Sequence, residues 1–321
     1  MFFSHSRAFI NRGIIAIMKP YLWMTDFTPQ REWIDGKGLF LWLAFFLSEV
    51  GAGLYIVSLF IEFRGGSLAG WICCAILGGG LHMAYLGKPM RAWRSILRPR
   101  SSELSRGIIL MGLFLVIGAL QMAIGMGFFN GFPWGGDSLF FKIVLSILAF
   151  FVITHGFMTL GFLRAVPFWN SAIMPVLSLA SGLWLGTQIA MGLALGVDQV
   201  QIPPTLEPVA RWFIFLYVLL ILLHLWNAGQ GSLGSRKSVQ LLIKGDLAPL
   251  FYLGVVLLAL IIPLMITLYF CVKPVDTAFS LMWIRIFCAV IGDVAFRYCI
   301  FKAARYVPLI NSNIITGTRF T

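Results

Sequence analysis

The chain has 321 residues, of which 60% are hydrophobic and 11% charged, and its mean hydropathy is +0.91. These values lie outside the soluble range and are those of a polytopic membrane protein. The net charge of +12 would suggest nucleic acid in a soluble protein, but here the cations sit in loops beside apolar runs, so anionic lipid or an acidic subunit is the expected partner and nucleic acid is not indicated.

Residues 1–38 carry one short apolar run, Ile14 to Met18, between Arg12 and Lys19. It is too short to span and no small-residue cleavage pattern follows, so the segment reads as interfacial rather than as a signal peptide. From Leu39 onward apolar runs recur at the length that crosses a hydrocarbon core of about 30 Å. They predict spans at 39–63, 67–87, 107–129, 138–163, 172–196, 209–228, 249–271 and 279–301, followed by a tail from 304 to 321. Eight crossings return both termini to one side. Of the 24 Lys and Arg residues, Arg64, Lys142, Arg211, Lys273 and the in-span Arg285 fall on the opposite side, and the rest on the N-terminal side. By the positive-inside rule the termini are cytoplasmic.

Glu49 stands about ten residues, or roughly 15 Å, inside the first span, followed by Gly51 and Gly53 in SEVGAGLY. A carboxyl group at that depth is costly and marks a functional position or a buried hydrogen bond to a neighbouring helix; the glycines suit close helix packing. The second span ends with His82 and Tyr85. The next loop, LGKPMRAWRSILRPRSSELSRG from Leu86 to Gly107, holds Lys88, Arg91, Arg94, Arg98, Arg100 and Arg106 around Trp93. It reads either as a topogenic loop or as a docking face for an acidic partner.

The fourth span carries Thr154 and His155, the latter roughly 12 Å before its end by helix rise. It leads into VPFWNSAIMPVLSLASG, residues 166–182, where Trp169 suits the interface and Asn170 and Ser171 suit a helix cap. The sixth span ends near His224. Even-numbered spans all finish on the N-terminal face, so these imidazoles share one membrane half. In the last span Arg285, Asp293 and Arg297 are spaced by eight and four, near one helical face, which predicts internal ion pairing and, as a sharper reading, a proton path through Glu49, Asp293 and Arg285. The five cysteines, Cys73, Cys74, Cys271, Cys288 and Cys299, show no CxxC spacing and build no metal site.

The two motifs together, LGKPMRAWRSILRPRSSELSRG after one span and VPFWNSAIMPVLSLASG after another, resemble the NrfD-like family of polysulfide reductase membrane subunits. The match runs from about Leu39 to Gly229. The resemblance implies an all-α fold of two four-helix bundles, here 39–163 and 164–303, without haem. It implies a site for menaquinone or ubiquinone near the face where a four-cluster iron–sulfur subunit docks, in a prokaryotic cell membrane. Through that subunit electrons pass to or from a molybdopterin enzyme or a multihaem cytochrome.

Counting back fifteen residues from Asn170 reaches His155, where the family often has a quinone-proximal Tyr. Tyr85 stands where the related dimethyl sulfoxide reductase anchors have His, and Glu49 where the family has a small residue. For the quinone site that the resemblance implies, hydrogen-bonding and proton chemistry select His155, Tyr85 and Glu49, then His82, with Trp169 and Asn170 of the second motif beside them and Glu49 and His155 handling protons. Partner docking falls to Arg91, Trp93, Arg94, Arg98, Arg100 and Arg106. Quinone reduction takes up two protons, and an imidazole or a buried carboxyl group suits that exchange. Two other classes are weighed against this one. A haem b anchor would use His82, His155 or His224 as axial ligands, and an ion or proton transporter would line its path with Glu49, Arg285 and Asp293.

Overall fold

A computed structural model describes residues 24, 26–129, 135–196, 206–272 and 279–309. The expected interfacial reading of residues 1–23, and the tail beyond 309, lie outside these residues. The fold is all-α, 79% helical, as its composition requires: in lipid only helices and closed barrels satisfy every backbone hydrogen bond. Among the described residues seven helices are long and apolar enough to cross a membrane, namely α1 (Gly38–Phe60), α2 (Arg64–Tyr85), α3 (Glu103–Gly125), α4 (Leu139–Gly161), α5 (Ile173–Leu195), α6 (Leu206–Gln230) and α8 (Ala248–Val272). A shorter helix, α7 (Leu233–Lys244), lies between α6 and α8. The last helix is α9 (Phe279–Ala303), 25 residues long. Exposed side chains such as Leu113, Val116, Ile143, Ile147, Leu219 and Leu222 give α3, α4 and α6 their lipid-facing stripes.

Parity makes α9 an eighth crossing despite its charges. Strand β1 (Thr28–Pro29), before α1, pairs antiparallel with β2 (Arg305–Tyr306), after α9. The Gln30 N–H donates to Ala304 O at 3.0 Å, and Lys302 Nζ meets Asp35 at 2.6 Å. Two chain ends joined on one face require an even number of crossings. The Val307 N–H also donates to Ala165 O at the end of α4, so that loop shares the face. On the opposite face Lys142 bridges to Glu62 at 3.1 Å.

The joined ends have their own titration behaviour. Tyr306 donates to Glu32 at 3.1 Å. Burial first, and the Glu32 carboxylate second, push its phenol up to about 12. Backbone N–H bonds and the Tyr306 hydroxyl hold Glu32 below the usual carboxylate range, against a smaller opposing effect of burial. A raised acid stabilises the fold below its unfolded pKa and a lowered one above it. The contact therefore holds between the ordinary carboxylate and phenol ranges and is lost in acid or as pH rises through about 12.

Helices α1 and α5 form the axis of the molecule. The apolar windows of α1 and α5 are 78% and 72% buried, against 22% for each of α2 and α3, so the two inner helices carry the core and the outer ones face lipid. Their backbones meet through glycine. A Cβ on Gly53 would lie 2.0 Å from Gly182 O, and one on Gly186 would lie 2.3 Å from Gly53 C. Without water to drive association, such small-residue contacts are what bring membrane helices together. One apolar cluster, with Tyr55, Phe114, Phe141 and Leu145, fills the space among α1 to α4. A larger one, with Trp42, Phe157, Trp184, Tyr217, Phe251 and Phe296, joins α1 and α4 to α5, α6, α8 and α9.

Observed helix limits stay close to the expected spans, with two instructive differences. Helix α3 starts at Glu103, not 107, because the Ser102 hydroxyl accepts the Ser105 N–H at 3.3 Å and Glu103 favours a first helical turn. Helix α7 and a 3-10 helix at Pro89–Ile96 arise in segments too polar to register as spans. Helices α2 and α8 also widen into π-helical stretches, Cys73–Gly78 and Phe251–Ile261, where i→i+5 bonds replace the usual pattern.

The glycine axis makes a clear test. Gly53→Leu, which drives a side chain into the α5 backbone, should cost at least the roughly 1–3 kcal/mol of an overpacked core and lower the unfolding temperature in detergent. Gly112→Ala, where an added Cβ meets nothing within 4 Å, should leave it unchanged or raised.

Candidate functional site

The polar groups fall into a basic face, two half-buried imidazoles, an interior charge network and a cavity. On the basic face Pro89–Ile96 turns the chain along the membrane surface. Arg91, Arg94, Arg98 and Arg100 are exposed, as are Met90, Trp93 and Leu97. Arg94 lies over the Trp93 ring at 5.5 Å, so a cation and an aromatic face are offered together. Arg106 differs: it bridges to Glu103 at 2.5 Å and donates to Pro99 O and Arg100 O. Its guanidinium organises the loop and is not a free docking charge.

Close to this face lie two half-buried imidazoles, His82 and His155. His82, on the last turn of α2, is followed by half-buried Tyr85. The His82 Nδ1 is 2.9 Å from Gly78 O. A carbonyl only accepts, so Nδ1 carries the proton and a neutral ring leaves Nε2 as an acceptor. Gly78 closes the π-helical stretch of α2 and packs where a Cβ would meet Ser48 of α1. The Phe45 ring stands 5.3 Å from the His82 ring and also against Gly156 of α4. His155 is half-buried and directs its Nε2 against Gly107 of α3. By helix rise His155 lies about 9 Å before the end of α4, shallower than the sequence suggested because α4 ends at Gly161.

Glu49 stands apart from these imidazoles. It is buried between Ile153 of α4 and Gly182 of α5 and forms an ion pair with Arg297 of α9. Ile153 and His155 stand about 160° apart around α4, so Glu49 and His155 lie on different sides of that helix. Arg297 also donates to Asp293 at 2.8 Å and to Ser181 at 3.0 Å. Asp293 accepts from Ser181 at 2.8 Å and from Tyr217 of α6 at 2.5 Å. All five residues are buried. Two carboxyl groups face one guanidinium, so the neutral form of this set holds one proton. The Phe46 and Phe157 rings flank the guanidinium at 5.4 and 5.1 Å.

Arg285 joins a second pair. The expected Asp293–Arg297 pairing within α9 is present, but Arg285 forms a bidentate bridge to Glu207 of α6 at 2.6 and 2.8 Å, with Thr267 at 3.3 Å. The fork-on-fork geometry suits a buried cation. Trp169, expected at the headgroup level and beside quinone, is instead fully buried. Its indole N–H donates to Ile300 O at 3.0 Å, and its ring packs on Trp33 and Phe301.

Asn170 donates to Gly161 O at 2.7 Å and lines a cavity with His224, away from His155. Sequence reasoning suggests only tight packing for Ser181 and no role for Tyr217 and Glu207. The carboxyl group of Glu207 beside a span was the one available signal. Among the described residues no group of His, Cys, Asp and Glu is placed to hold a metal ion, and a Cβ added at Gly107 would meet His155 Nε2.

No protein-family model matches the chain, and no curated protein matches it.

The charge network predicts its own fragility. Arg297→Leu leaves two buried carboxyl groups without their cation and should cost about 3–5 kcal/mol. Adding Glu49→Gln to Arg297→Leu should recover part of that loss, so thermal unfolding of the two single variants and the double should show non-additive coupling.

Proposed function

We propose that this chain is the quinone-reactive membrane subunit of a respiratory oxidoreductase complex of the NrfD-like kind, passing electrons between the quinone pool and an iron–sulfur partner. The observation that carries this reading is the half-buried pair His82 and His155, at one membrane depth, close to an exposed basic face. A quinone exchanges two electrons and two protons, and its headgroup needs two hydrogen-bonding partners and a proton donor. The neutral His82 ring offers Nε2 as an acceptor toward a quinol hydroxyl, and its protonated form donates toward a quinone carbonyl. The Tyr85 phenol is the second hydrogen-bonding group. Exposed Met83 and Ala84 on α2 leave that flank open to lipid, the route by which an apolar quinone arrives. The Glu49–Arg297–Asp293 set lies about 7 Å deeper by helix rise and serves as a proton-holding group for turnover, in place of direct contact with quinone.

The basic face is the docking site for the iron–sulfur subunit, which connects to a molybdopterin or multihaem enzyme. Its cations and Trp93 complement an acidic partner and exclude a basic one. The charge bias assigns this face, with both chain ends, to the cytoplasm of a prokaryotic cell.

Two measurements test the reading. His155→Leu should abolish quinol-linked turnover of the complex and leave turnover with an artificial dye at the catalytic subunit unchanged; normal quinol kinetics in that variant would remove His155 from the site. Reversing Arg91 and Arg94 to Glu should release the iron–sulfur subunit on affinity purification while the membrane chain stays folded. Retention of the subunit in moderate salt would reduce the loop to a topogenic role.

A further inference from the structure

A well-formed cavity lies away from His82 and His155, in the half of the molecule that the quinone reading does not use. It measures about 270 Å³ and is lined by Arg164, Asn170, His224, Asn227, Ser232 and Ser235 among others, near the lower limit of small-ligand sites, roughly 300–1,000 Å³. Four features converge on its chemistry. His224 is only 1% exposed, and neither ring nitrogen has a hydrogen-bond partner. A buried polar group in that state is costly unless something in the cavity satisfies it. Phe168 holds the ring from one side at 5.0 Å, so the imidazole is positioned against the cavity wall.

The second feature is α7, twelve residues long, whose N-terminus opens on the cavity through Ser232 and Ser235. Ser232 already accepts the Ser235 N–H at 3.4 Å, but the first two N–H groups of a helix have no partner within it, and the helix dipole favours an anion there. Third, Arg164 is exposed at the end of α4 and its side chain makes no hydrogen bond or ion pair among the described residues. Fourth, no Asp or Glu lines the cavity. A cation, an unsatisfied imidazole, a helix N-terminus and amide and hydroxyl groups, with no opposing carboxylate, are the donor set of an oxyanion site.

We infer that this cavity binds a phosphate group, with Arg164 and His224 as its principal donors over the N-terminus of α7. Its mouth lies between the ends of α4 and α6, where Phe162 and Trp226 are exposed at the level of the headgroups, so the phosphate comes from a membrane phospholipid or from a soluble phosphate. The site does not depend on quinone chemistry. It ties the α4–α5 loop to the α6–α7 turn, and a bound phosphate stabilises the fold by linkage.

The test uses the full chain, purified in detergent and stripped of lipid. Its unfolding temperature is followed against inorganic phosphate at constant ionic strength, against short-chain phosphatidylglycerol, and against the matching diacylglycerol. The expected result is a saturable rise with a phosphate-bearing probe and none with diacylglycerol. A response to inorganic phosphate identifies a soluble source, and a response to phosphatidylglycerol alone identifies a lipid headgroup. Arg164→Gln should weaken that response at least tenfold, and His224→Gln should weaken it less because the amide still donates. Arg164 is at the surface, so its variant carries the test even where His224→Gln fails to fold. Absence of a saturable response to both phosphate probes, or an undiminished response in Arg164→Gln, would overturn the site.

Discussion

Everything in the interior of this protein depends on Arg297 having somewhere to put its charge. A guanidinium inside a hydrocarbon slab is tolerated only when its donors are taken up by acceptors at hydrogen-bonding distance. Here the acceptors come from two other helices as well as its own: Glu49 on α1, Ser181 on α5 and Asp293 one turn away on α9. Those helices can approach closely enough only because Gly53, Gly182 and Gly186 remove the side chains that would separate α1 from α5. The apolar contact and the ionic one are therefore two halves of a single arrangement. The glycines bring the backbones together, and the charges fix which faces meet.

The same arrangement divides labour between two depths. His82 and His155 are half-buried near the ends of α2 and α4, close to the basic face. The charge network lies deeper and is closed to lipid by Phe46 and Phe157. Helix α4 faces both, Ile153 and Gly156 toward the interior and His155 toward α3. One helix thus presents a half-buried imidazole and the wall of a fully buried charge network from neighbouring positions.

How much of this was legible in the sequence follows from the range of each interaction. The spans were, because apolar length is a local property. The Asp293–Arg297 pair was, because four residues on a helix are neighbours by geometry. The bond from Arg297 to Glu49 was not, since it joins residues 248 apart and nothing in the pattern distinguishes it from the Arg285–Glu49 or Asp293-based path also open to a reader. The same holds for Arg285, whose partner Glu207 sits on another helix. Distance along a helix says nothing of azimuth: Glu49 of α1 packs near Ile153 on one side of α4, whereas His155 faces α3 from the other. Trp169 looked like an interfacial residue because it follows the end of a span, but the chain folds back there and covers it. Helix α7 escaped notice because an amphipathic surface helix has neither the apolar length of a span nor the turn chemistry of a loop.

One feature bears on how the protein is made. Glu49 leaves the ribosome 248 residues ahead of Arg297, and at about 5–20 residues per second that interval is of the order of tens of seconds. For that time α1 enters the bilayer with a carboxyl group and no cation. The final helix cannot insert cheaply by itself either, since it brings its own charges. Assembly is thus coupled across the length of the polypeptide: the first helix must wait, shielded by the insertion machinery or by its glycine-paired neighbour, until the last one arrives to neutralise it. A chain truncated before α9 would hold an orphaned acid in its first helix, a mark by which membrane quality control can recognise an unfinished product.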